Sequence, residues 1–378
     1  MMEFSLSSEQ KLIFETAYEF GQSSISPFAL EWEKSLIPRG VLKEAGELGF
    51  GSLYVNDADG GSGLSRLDST LVFEALAMAC PSVSSFISIH NMCAWMISQY
   101  GNQHVKEKFL HPMIRMDKIC SYCLTEPDSG SDSAALSTKA EKTNEGFRVN
   151  GTKSFISGGA FSDIYLTMVR TGEAGPHGIS ALLVEKNTKG LCFGSNEEKM
   201  GWKSQPTAQV IFDDCSISSE QLLGEENKGF IYAMSGLDGG RLNIAAAALG
   251  GAQSALNIAK NYIKERKAFG KRLSDFQGLQ FKVADMEIAI NSSRIFLREA
   301  AWKLDNDKSD AGVYCAMAKK YVTDNAFNIA NNSLQLLGGY GYLTDYGIEK
   351  IVRDLRVHQI LEGTNEIMQL IIARNSLK

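Results

Sequence analysis

The chain of 378 residues lacks the patterns that mark several common classes of protein. No apolar run approaches the ~20 residues that cross a bilayer. Its first residues have neither the charged, apolar and small-residue regions of a signal peptide nor the arginines of a transit peptide, so we expect no targeting segment in it. A net charge of −6 without a long block of like charge argues against nucleic acid as a partner.

Three catalytic sequence motifs are also absent. There is no G-x-G-x-x-G and no G-x-x-x-x-G-K-[ST], which weakens a nicotinamide-dependent or nucleotide-hydrolysing function. There is no G-x-S-x-G, the turn that carries the nucleophile of many hydrolases. Any chemistry of this chain must therefore be sought in other residues.

Cysteine and histidine are present without the spacing of a metal site. The seven cysteines are scattered and odd in number, which is typical of a reducing compartment rather than a disulfide framework. Cys120 and Cys123 form a C-x-x-C in a strand-like run, where an odd separation points their side chains to opposite faces. The five histidines have no ligand spacing either, so we expect no metal site.

Apolar periodicity divides the chain into three parts. Its length suggests two or three domains, and its 44% apolar and 22% charged residues are typical of a globular protein. Helical periodicity extends to about Asp117, short β-rich runs follow to about Ser218, and long helical segments return from Gly229. We predict an α+β multidomain fold with an N-terminal helical domain (1–117), a middle β domain (118–228) and a C-terminal domain resembling a four-helix bundle (229–378).

Two local patterns give further predictions. Asn150-Gly151 predicts a hairpin turn, because both positions of such a turn favour positive φ. An apolar stripe at alternating intervals of three and four runs from Leu242 to Ile263, and Arg266 falls on the same stripe. A guanidinium there needs an anion or a carboxylate, and a phosphate at an interface or a structural ion pair would both serve.

In the stretch Val357–Glu366, the carboxylate of Glu362 lies directly before Gly363, and a new amphipathic helix is predicted to follow. Thr364 can cap that helix through its hydroxyl. Directly after Ile360 and Leu361 the carboxylate would be poorly hydrated, which raises its pKa toward that of a general base. The position also suits a glutamate that merely stabilises a helix N-terminus, and this stretch alone favours that second interpretation.

Three segments rich in glycine or hydroxyl groups could hold a flat ring or a phosphate. Tyr122–Asp132 leads from a strand into a loop with accessible backbone N–H groups. Phe155 and Ser157 lie on one face of a strand before a glycine pair, and Gln335–Tyr342 places glycines after a long helix. Each segment alone is equally a polar turn, a core aromatic or an ordinary helix end.

Taken together and in this order, these segments resemble the acyl-CoA dehydrogenase family over essentially the whole chain. CLTEPDSGSDSAA and QLLGGYGYLTDYGIEKIVRD match two signatures of that family. Asp128 departs from the pattern, since many relatives have glycine there, and it changes the polarity of the loop. The resemblance implies a bound FAD, an acyl-CoA thioester as substrate and α,β-desaturation as the reaction.

The resemblance also implies roles for individual residues. Glu362 takes the position of the catalytic base; some members instead carry the base immediately before the arginine that corresponds to Arg241, where this chain has Gly240. Ser157 would donate toward the N5/O4 edge of the flavin, and Phe155 would lie beside the ring. The implied FAD contacts are Tyr122, Cys123, Leu124, Thr125, Ser131, Phe155, Ile156, Ser157, Arg266, Phe276, Gln277, Gln335, Leu336, Leu337, Gly338, Gly339, Thr364, Asn365 and Glu366. Those from Arg266 to Gly339 would be shared between neighbouring subunits. The implied acyl-CoA contacts are Ser131, Asp238, Gly239, Gly240, Arg241 and Arg374.

Within the family, four segments resemble most the members that convert isobutyryl-CoA to methacrylyl-CoA in valine breakdown: ISIHNMCAWMI, GWKSQPT, DGGR and RVHQILEG. Leu361 stands where most relatives have a tyrosine before the base. Three alternatives stay open: a dehydrogenase for another short or branched acyl-CoA such as 2-methylbutyryl-CoA or butyryl-CoA, an oxygen-dependent acyl-CoA oxidase, and a flavin-free, non-catalytic helical scaffold.

The resemblance further implies an electron-transfer flavoprotein as electron acceptor and a homotetramer without membrane insertion. It implies the mitochondrial matrix if the source is eukaryotic and the cytoplasm if it is bacterial.

Overall fold

Helices form the N-terminal part of the computed structural model, which describes residues 5–378. Residues 1–4 of the predicted first domain lie outside the described residues. The helical periodicity predicted for this part is confirmed. The helices are α1 (Ser8–Phe20), α2 (Trp32–Ser35), α3 (Arg39–Glu47), α4 (Arg66–Ala79), α5 (Pro81–Tyr100), α6 (Gln103–Val105) and α7 (His111–Ile114).

The last helical segment of this part is interrupted between α6 and α7. A π-helical turn at Lys106–Leu110 separates α6 from α7. Pro112 lacks a backbone N–H, and its ring would clash with the carbonyl four residues earlier in a regular helix. A widened turn just before the proline removes that clash.

A sheet of eight strands forms the middle part. Its strands are β1 (Cys120–Cys123), β2 (Lys139–Lys142), β3 (Gly146–Ser157), β4 (Ile164–Arg170), β5 (Ile179–Glu185), β6 (Leu191–Phe193), β7 (Thr207–Ser218) and β8 (Leu222–Leu223). The order is β6-β7-β3-β2-β4-β5-β8, and β1 pairs in parallel with β4. The short β-rich runs predicted for this part are confirmed as strands. Cys120 and Cys123 face different apolar clusters, as predicted.

The predicted hairpin turn at Asn150-Gly151 is wrong. Both residues lie inside β3, which stays paired with β7 through a register shift at this point. Gly151 has a φ of 147°, and the Asp214 N–H of β7 donates a hydrogen bond to Asn150 Oδ1 at 2.8 Å. The dipeptide therefore makes a β-bulge, which is the other structure that a glycine with positive φ favours. The chain turns from β2 into β3 earlier, where the Thr143 N–H donates to the Gly146 carbonyl at 2.9 Å.

Long helices return in the C-terminal part, as predicted. They are α8 (Gly229–Glu265), α9 (Gln277–Asp305), α10 (Ala311–Leu337), α11 (Ile348–Arg356) and α12 (Asn365–Ser376). The predicted apolar stripe of α8 from Leu242 to Ile263 is buried. Helix α8 packs against α9 and α10 on one side and against α4 and α5 on the other, so one apolar core joins the two helical parts. None of the helices formed by residues 5–378 combines the length and the apolarity that crossing a membrane requires.

The predicted place of Arg266 on the apolar stripe is wrong. Helix α8 ends at Glu265, and Arg266 is the exposed residue that follows in an extended conformation. It leads into a short hairpin of β9 (Lys267–Ala268) and β10 (Lys271–Arg272), and its guanidinium lies 5.6 Å from the ring centroid of Tyr340. The helix ends one residue too early for the stripe to include the arginine, so its charge remains in contact with solvent.

Candidate active site

Glu362 lies in a strained connection between α11 and α12. Its φ is +56° and that of Gly363 is +87°, a region that suits glycine but crowds a residue with a side chain. Thr364 caps α12 as predicted, because its hydroxyl accepts a hydrogen bond from the Ile367 N–H at 3.3 Å. A left-handed non-glycine residue costs about 1–3 kcal/mol. Surrounding contacts must therefore hold Glu362 in place.

The carboxylate of Glu362 lies against the bare backbone of Gly240 on α8. A Cβ atom at position 240 would be 2.6 Å from Oε2 of Glu362 and 3.1 Å from Sδ of Met92 on α5. Oε2 is buried and has no hydrogen-bond partner among the described residues. Burial raises the pKa of Glu362 to about 7, against the charges of Arg241 and Lys319, which lower it. The site thus holds a carboxylate that can accept a proton near neutral pH.

The predicted rise in the pKa of Glu362 is confirmed, but its cause differs from the prediction. Ile360 is 50% exposed and Leu361 is only half-buried, so the two apolar neighbours in the sequence do not themselves lie in the core. The enclosure comes from α5 and α8, which are far from Glu362 in the sequence. Only the folded chain brings them together.

A second unpaired polar atom lies near this carboxylate. The Tyr122 hydroxyl at the end of β1 is buried and has no hydrogen-bond partner within the described part of the chain. Burial and the nearby charge of Glu362 both raise the pKa of Tyr122, so the phenol stays neutral and can donate a hydrogen bond. Native proteins leave few buried polar atoms unpaired. Two of them close together indicate a place for a polar ligand.

The loop after β1 is fixed by a buried ion pair that the sequence interpretation missed. Lys153 Nζ donates to the Leu124 carbonyl at 3.1 Å and to Glu126 Oε1 at 2.7 Å. Glu126 also accepts hydrogen bonds from the Ser137 and Thr138 N–H groups. Burial would raise the pKa of Glu126, but Lys153 and these donors hold it at about 2. The ionised pair therefore fixes the loop on which the predicted contacts from Leu124 to Ser131 lie.

The predicted contacts on β3 lie at a second bulge. Phe155 has a φ of +59°, and its ring is 68% exposed, while Ser157 is half-buried. The Ser121 hydroxyl donates to the Ser157 carbonyl at 2.5 Å. Ile156 on β3 and Cys123 on β1 turn their side chains into the core, so these two can reach a ligand only through their backbone.

The predicted contacts from the last helices meet in a separate groove. A cavity of about 550 Å³ is lined by Arg266, Gln335, Leu336, Leu337, Gly338 and Gly339, together with Tyr262, Leu273, Leu279, Lys282, Tyr340 and Leu343. Phe276 and Gln277 begin α9 between two of these lining residues. Gly240 and Tyr262 are about 33 Å apart along α8, at 1.5 Å per residue. Within one chain, this groove is therefore remote from Glu362.

Two of the predicted acyl-CoA contacts on α8, Gly240 and Arg241, lie directly against Glu362. Arg241 Nη1 donates to Asp238 Oδ1 at 2.5 Å, and Arg241 Nε donates to the Glu362 carbonyl at 3.4 Å. The bare Cα of Gly239 lies under the guanidinium of Arg66, which stacks 3.6 Å from the ring centroid of Tyr54. Arg66 is 8% exposed, and the sequence interpretation missed it.

The remaining predicted contacts differ in accessibility. Ser131 and Arg374 are exposed, as is Glu366. Asn365 is 6% exposed, and its side-chain amide donates to Thr323 and Asp324. The side chain of Asn365 is therefore engaged within its own domain. Residues 5–378 contain no group of three side chains that could hold a metal ion.

Three family models match successive parts of the chain. The acyl-CoA dehydrogenase N-terminal domain matches residues 7–117, the middle domain matches residues 121–215, and the C-terminal domain matches residues 227–377.

Curated relatives and solved structures match over almost the full length. The chain is 53% identical to the mitochondrial isobutyryl-CoA dehydrogenase of Dictyostelium discoideum over 375 residues, which cover 99% of this chain and 90% of that protein. It is 48% identical to the mitochondrial isobutyryl-CoA dehydrogenase of Bos taurus, with the same 99% and 90% coverage. The structure of butyryl-CoA dehydrogenase from Megasphaera elsdenii is 36% identical, with a TM-score of 0.96 and full coverage of both chains.

Proposed function

The chain belongs to the acyl-CoA dehydrogenase family, and on this basis we propose that it catalyses the FAD-dependent α,β-desaturation of isobutyryl-CoA to methacrylyl-CoA in valine catabolism. One observation carries the reaction type: the buried, unpaired carboxylate of Glu362 with a pKa near 7. The choice of acyl group is supported by the two isobutyryl-CoA dehydrogenases that are about half identical to this chain.

The residues present fit a bound FAD. An aromatic ring as exposed as Phe155, next to a hydroxyl on the same strand, suits the flat ring of a flavin. The unpaired Tyr122 hydroxyl lies on β1, which contacts β3 here through the Ser121 hydroxyl and the Ser157 carbonyl. The ion pair of Lys153 and Glu126 fixes the loop that follows β1. We infer that residues 122–125, Ser131 and residues 155–157 would hold the flavin. Bound FAD would accept the hydride that leaves the β-carbon.

Glu362 supplies the base in this account. Its ionised carboxylate takes the α-proton of the thioester onto Oε2, and the electron pair of the broken C–H bond becomes part of the new C=C bond as the β-hydrogen leaves. Oε2 is shielded from solvent, so this oxygen is not held back by a hydration shell. Arg241 and Lys319 keep a fraction of the carboxylate ionised near neutral pH, and Gly240 provides the space into which Oε2 projects.

We predict that activity falls as the pH drops through about 7. The raised pKa of Glu362 means that its basic form is present above that value and is lost below it. The kcat/KM for the acyl-CoA should fall about tenfold per pH unit on the acid side. Steady-state rates between about pH 5 and pH 9 measure this profile. Activity that stays constant down to pH 5 would contradict the assignment of a pKa near 7 to the base.

We also propose that the protein is a homotetramer in which neighbouring subunits share the cofactor. The groove at residues 262–343 is too far from Glu362 in the same chain for one FAD to contact both. Helix α9 leaves four large apolar side chains at least 49% exposed at seven-residue intervals: Phe281, Ile288, Ile295 and Trp302. Such a stripe suits a contact between copies of the chain. Native mass spectrometry of the purified protein gives the subunit number directly.

We propose an electron-transfer flavoprotein as the electron acceptor, in the mitochondrial matrix of a eukaryote or the cytoplasm of a bacterium. An acyl-CoA oxidase would instead consume oxygen and form peroxide. An oxygen electrode detects the oxygen that an oxidase consumes. Under nitrogen a dehydrogenase still turns over with the flavoprotein as acceptor, whereas an oxidase stops.

A panel of acyl-CoA substrates tests the proposed function. The purified protein should be yellow, and its kcat/KM should be highest for isobutyryl-CoA when compared with 2-methylbutyryl-CoA and butyryl-CoA. A higher value for butyryl-CoA would overturn the branched substrate while retaining the reaction type. A colourless protein that cannot be loaded with FAD would favour the non-catalytic scaffold.

A further inference from the structure

Lys319 is a buried lysine that has no carboxylate partner among the described residues. It lies in the middle of α10 and is 0% exposed. Its ammonium donates to two neutral oxygens, the Gly363 carbonyl and Asn365 Oδ1, both at 2.8 Å. No carboxylate in the described part of the chain forms a direct ion pair with it. Because burying an ammonium costs several kcal/mol unless it is paired, an apolar residue would stabilise this position better.

Both acceptors of Lys319 belong to the turn that carries Glu362. Gly363 follows Glu362 directly, and Asn365 begins α12. Asn365 in turn donates to Asp324 Oδ1 at 2.7 Å, one turn further along α10. Helix α10 therefore holds this turn through hydrogen bonds to Gly363 and Asn365. These bonds lie next to Glu362, which has a strained φ of +56°.

Charge connects the same two residues. Burial lowers the pKa of Lys319 to about 7, and the charge of Glu362 is the largest effect that opposes this. The groups that face Glu362 come from four elements: Arg241 on α8, Lys319 on α10, Tyr122 on β1 and Cys93 on α5. Tyr122 and Cys93 are neutral, since burial raises the pKa of both. The cations that favour an ionised Glu362 are thus Arg241, which is paired with Asp238, and Lys319, which is not.

We propose that Lys319 is a positioning residue for the base Glu362: its ammonium holds the Glu362–Gly363 turn in the left-handed conformation, and its charge favours the ionised carboxylate. This proposal rests on the proposed function insofar as Glu362 is the base. It gives a reason for a lysine at a position where the core would favour an apolar side chain. It assigns Lys319 no contact with the substrate.

Two substitutions separate the two effects of Lys319. Lys319→Met removes the charge and both hydrogen bonds. Lys319→Gln removes the charge but keeps a hydrogen-bond donor, and it replaces the methionine variant if that variant does not fold. In both holoenzymes the midpoint of the kcat/KM profile should rise by about one pH unit, the low end of the shift that a nearby opposite charge causes in the pKa of a carboxyl group. The kcat should fall about 100-fold in Lys319→Met because the base is misplaced, and less in Lys319→Gln. The KM should change little.

Lys303→Met is the matched control. Lys303 lies on α9 in the same bundle and pairs with Asp310 at 2.6 Å, so this variant loses a lysine that does not face the turn. Its pH midpoint should equal that of the wild type. A purely structural role of Lys319 would lower the melting temperature and leave the midpoint unchanged, and that result in a flavin-loaded variant would overturn the proposal.

A second readout does not require turnover. Difference infrared spectroscopy of the wild type against Glu362→Gln follows the titration of the Glu362 carboxyl group, and the same titration in a Lys319→Met background should be displaced to higher pH. An unchanged titration would also overturn the proposal. If none of the acyl-CoA substrates reduces the flavin of the wild type, the proposed function fails. The infrared titration still decides whether Lys319 affects the pKa of Glu362.

Discussion

Glu362→Gln should lose about 10³-fold in kcat, the contribution expected of a positioned general base. The amide has the shape of the carboxylate but cannot accept the α-proton. The flavin should remain bound and the acyl-CoA should still bind, because neither depends on the charge of Oε2. Stopped-flow mixing of the variant with isobutyryl-CoA under nitrogen measures the loss of flavin absorbance.

Two observations separate this loss from misfolding. Burial raises the pKa of Glu362 to about 7. Above that pH the folded protein holds a buried negative charge, which would be better hydrated in the unfolded chain. Replacing the charge with a neutral amide should therefore not lower the melting temperature. Glu220→Gln, at a carboxylate that is 70% exposed in the β domain, should retain wild-type activity. Flavin reduction at the wild-type rate by Glu362→Gln would exclude Glu362 as the base.

Gly240→Ala should lower kcat about 100-fold, the effect of moving a catalytic group by about 1 Å. The new Cβ would lie 2.6 Å from Oε2 and 3.1 Å from Cδ of Glu362, closer than side-chain atoms approach one another. The carboxylate must turn away, because the helix backbone of α8 is fixed by the core on both sides. Flavin content should stay unchanged.

Gly40→Ala is the control for this substitution. Gly40 lies in α3, where an added Cβ meets no atom within 4 Å, so activity should be unaffected. In the Glu362→Gln background, Gly240→Ala should cause little further loss, since the group that it displaces is already inactive. Independent, multiplying losses in the double variant would show that Gly240 acts through something other than Glu362.

The sequence and the family resemblance single out Glu362, but they do not describe its surroundings. The apolar residues beside Glu362 in the sequence predict burial, yet Ile360 is half exposed. The carboxylate is enclosed by Gly240 and Met92, which reach it only after α5 and α8 pack together. Contacts between elements that are distant in the sequence leave no local periodicity, so a single sequence cannot predict them.

The two local errors have a common physical cause. Asn150-Gly151 and Arg266 were interpreted from sequence neighbours alone. Positive φ at a glycine suits a bulge as well as a turn, and the partner strand β7 determines which one forms. Helix α8 ends at Glu265, one residue before the periodic pattern would place the arginine, and helix ends are the least certain part of such predictions.

The missed residue Lys319 did leave a signal in the sequence. It falls on the buried stripe of α10 with Cys315, Val322 and Ala326, at intervals of four, three and four. A single lysine on such a stripe indicates a buried cation, and buried cations need partners. The sequence could have identified the buried lysine, but only the structure shows that its ammonium contacts the turn that carries Glu362.

The central claim is that Glu362 removes the α-proton, and isotope exchange tests it without any hydride transfer. Acetyl-CoA has α-hydrogens but no β-carbon, so it cannot be desaturated. In D2O at about pH 8, the flavin-loaded wild type should exchange the acetyl protons for deuterium, as followed by proton NMR, and Glu362→Gln should not exchange them above the rate without enzyme. Equal exchange by the two proteins would contradict the account.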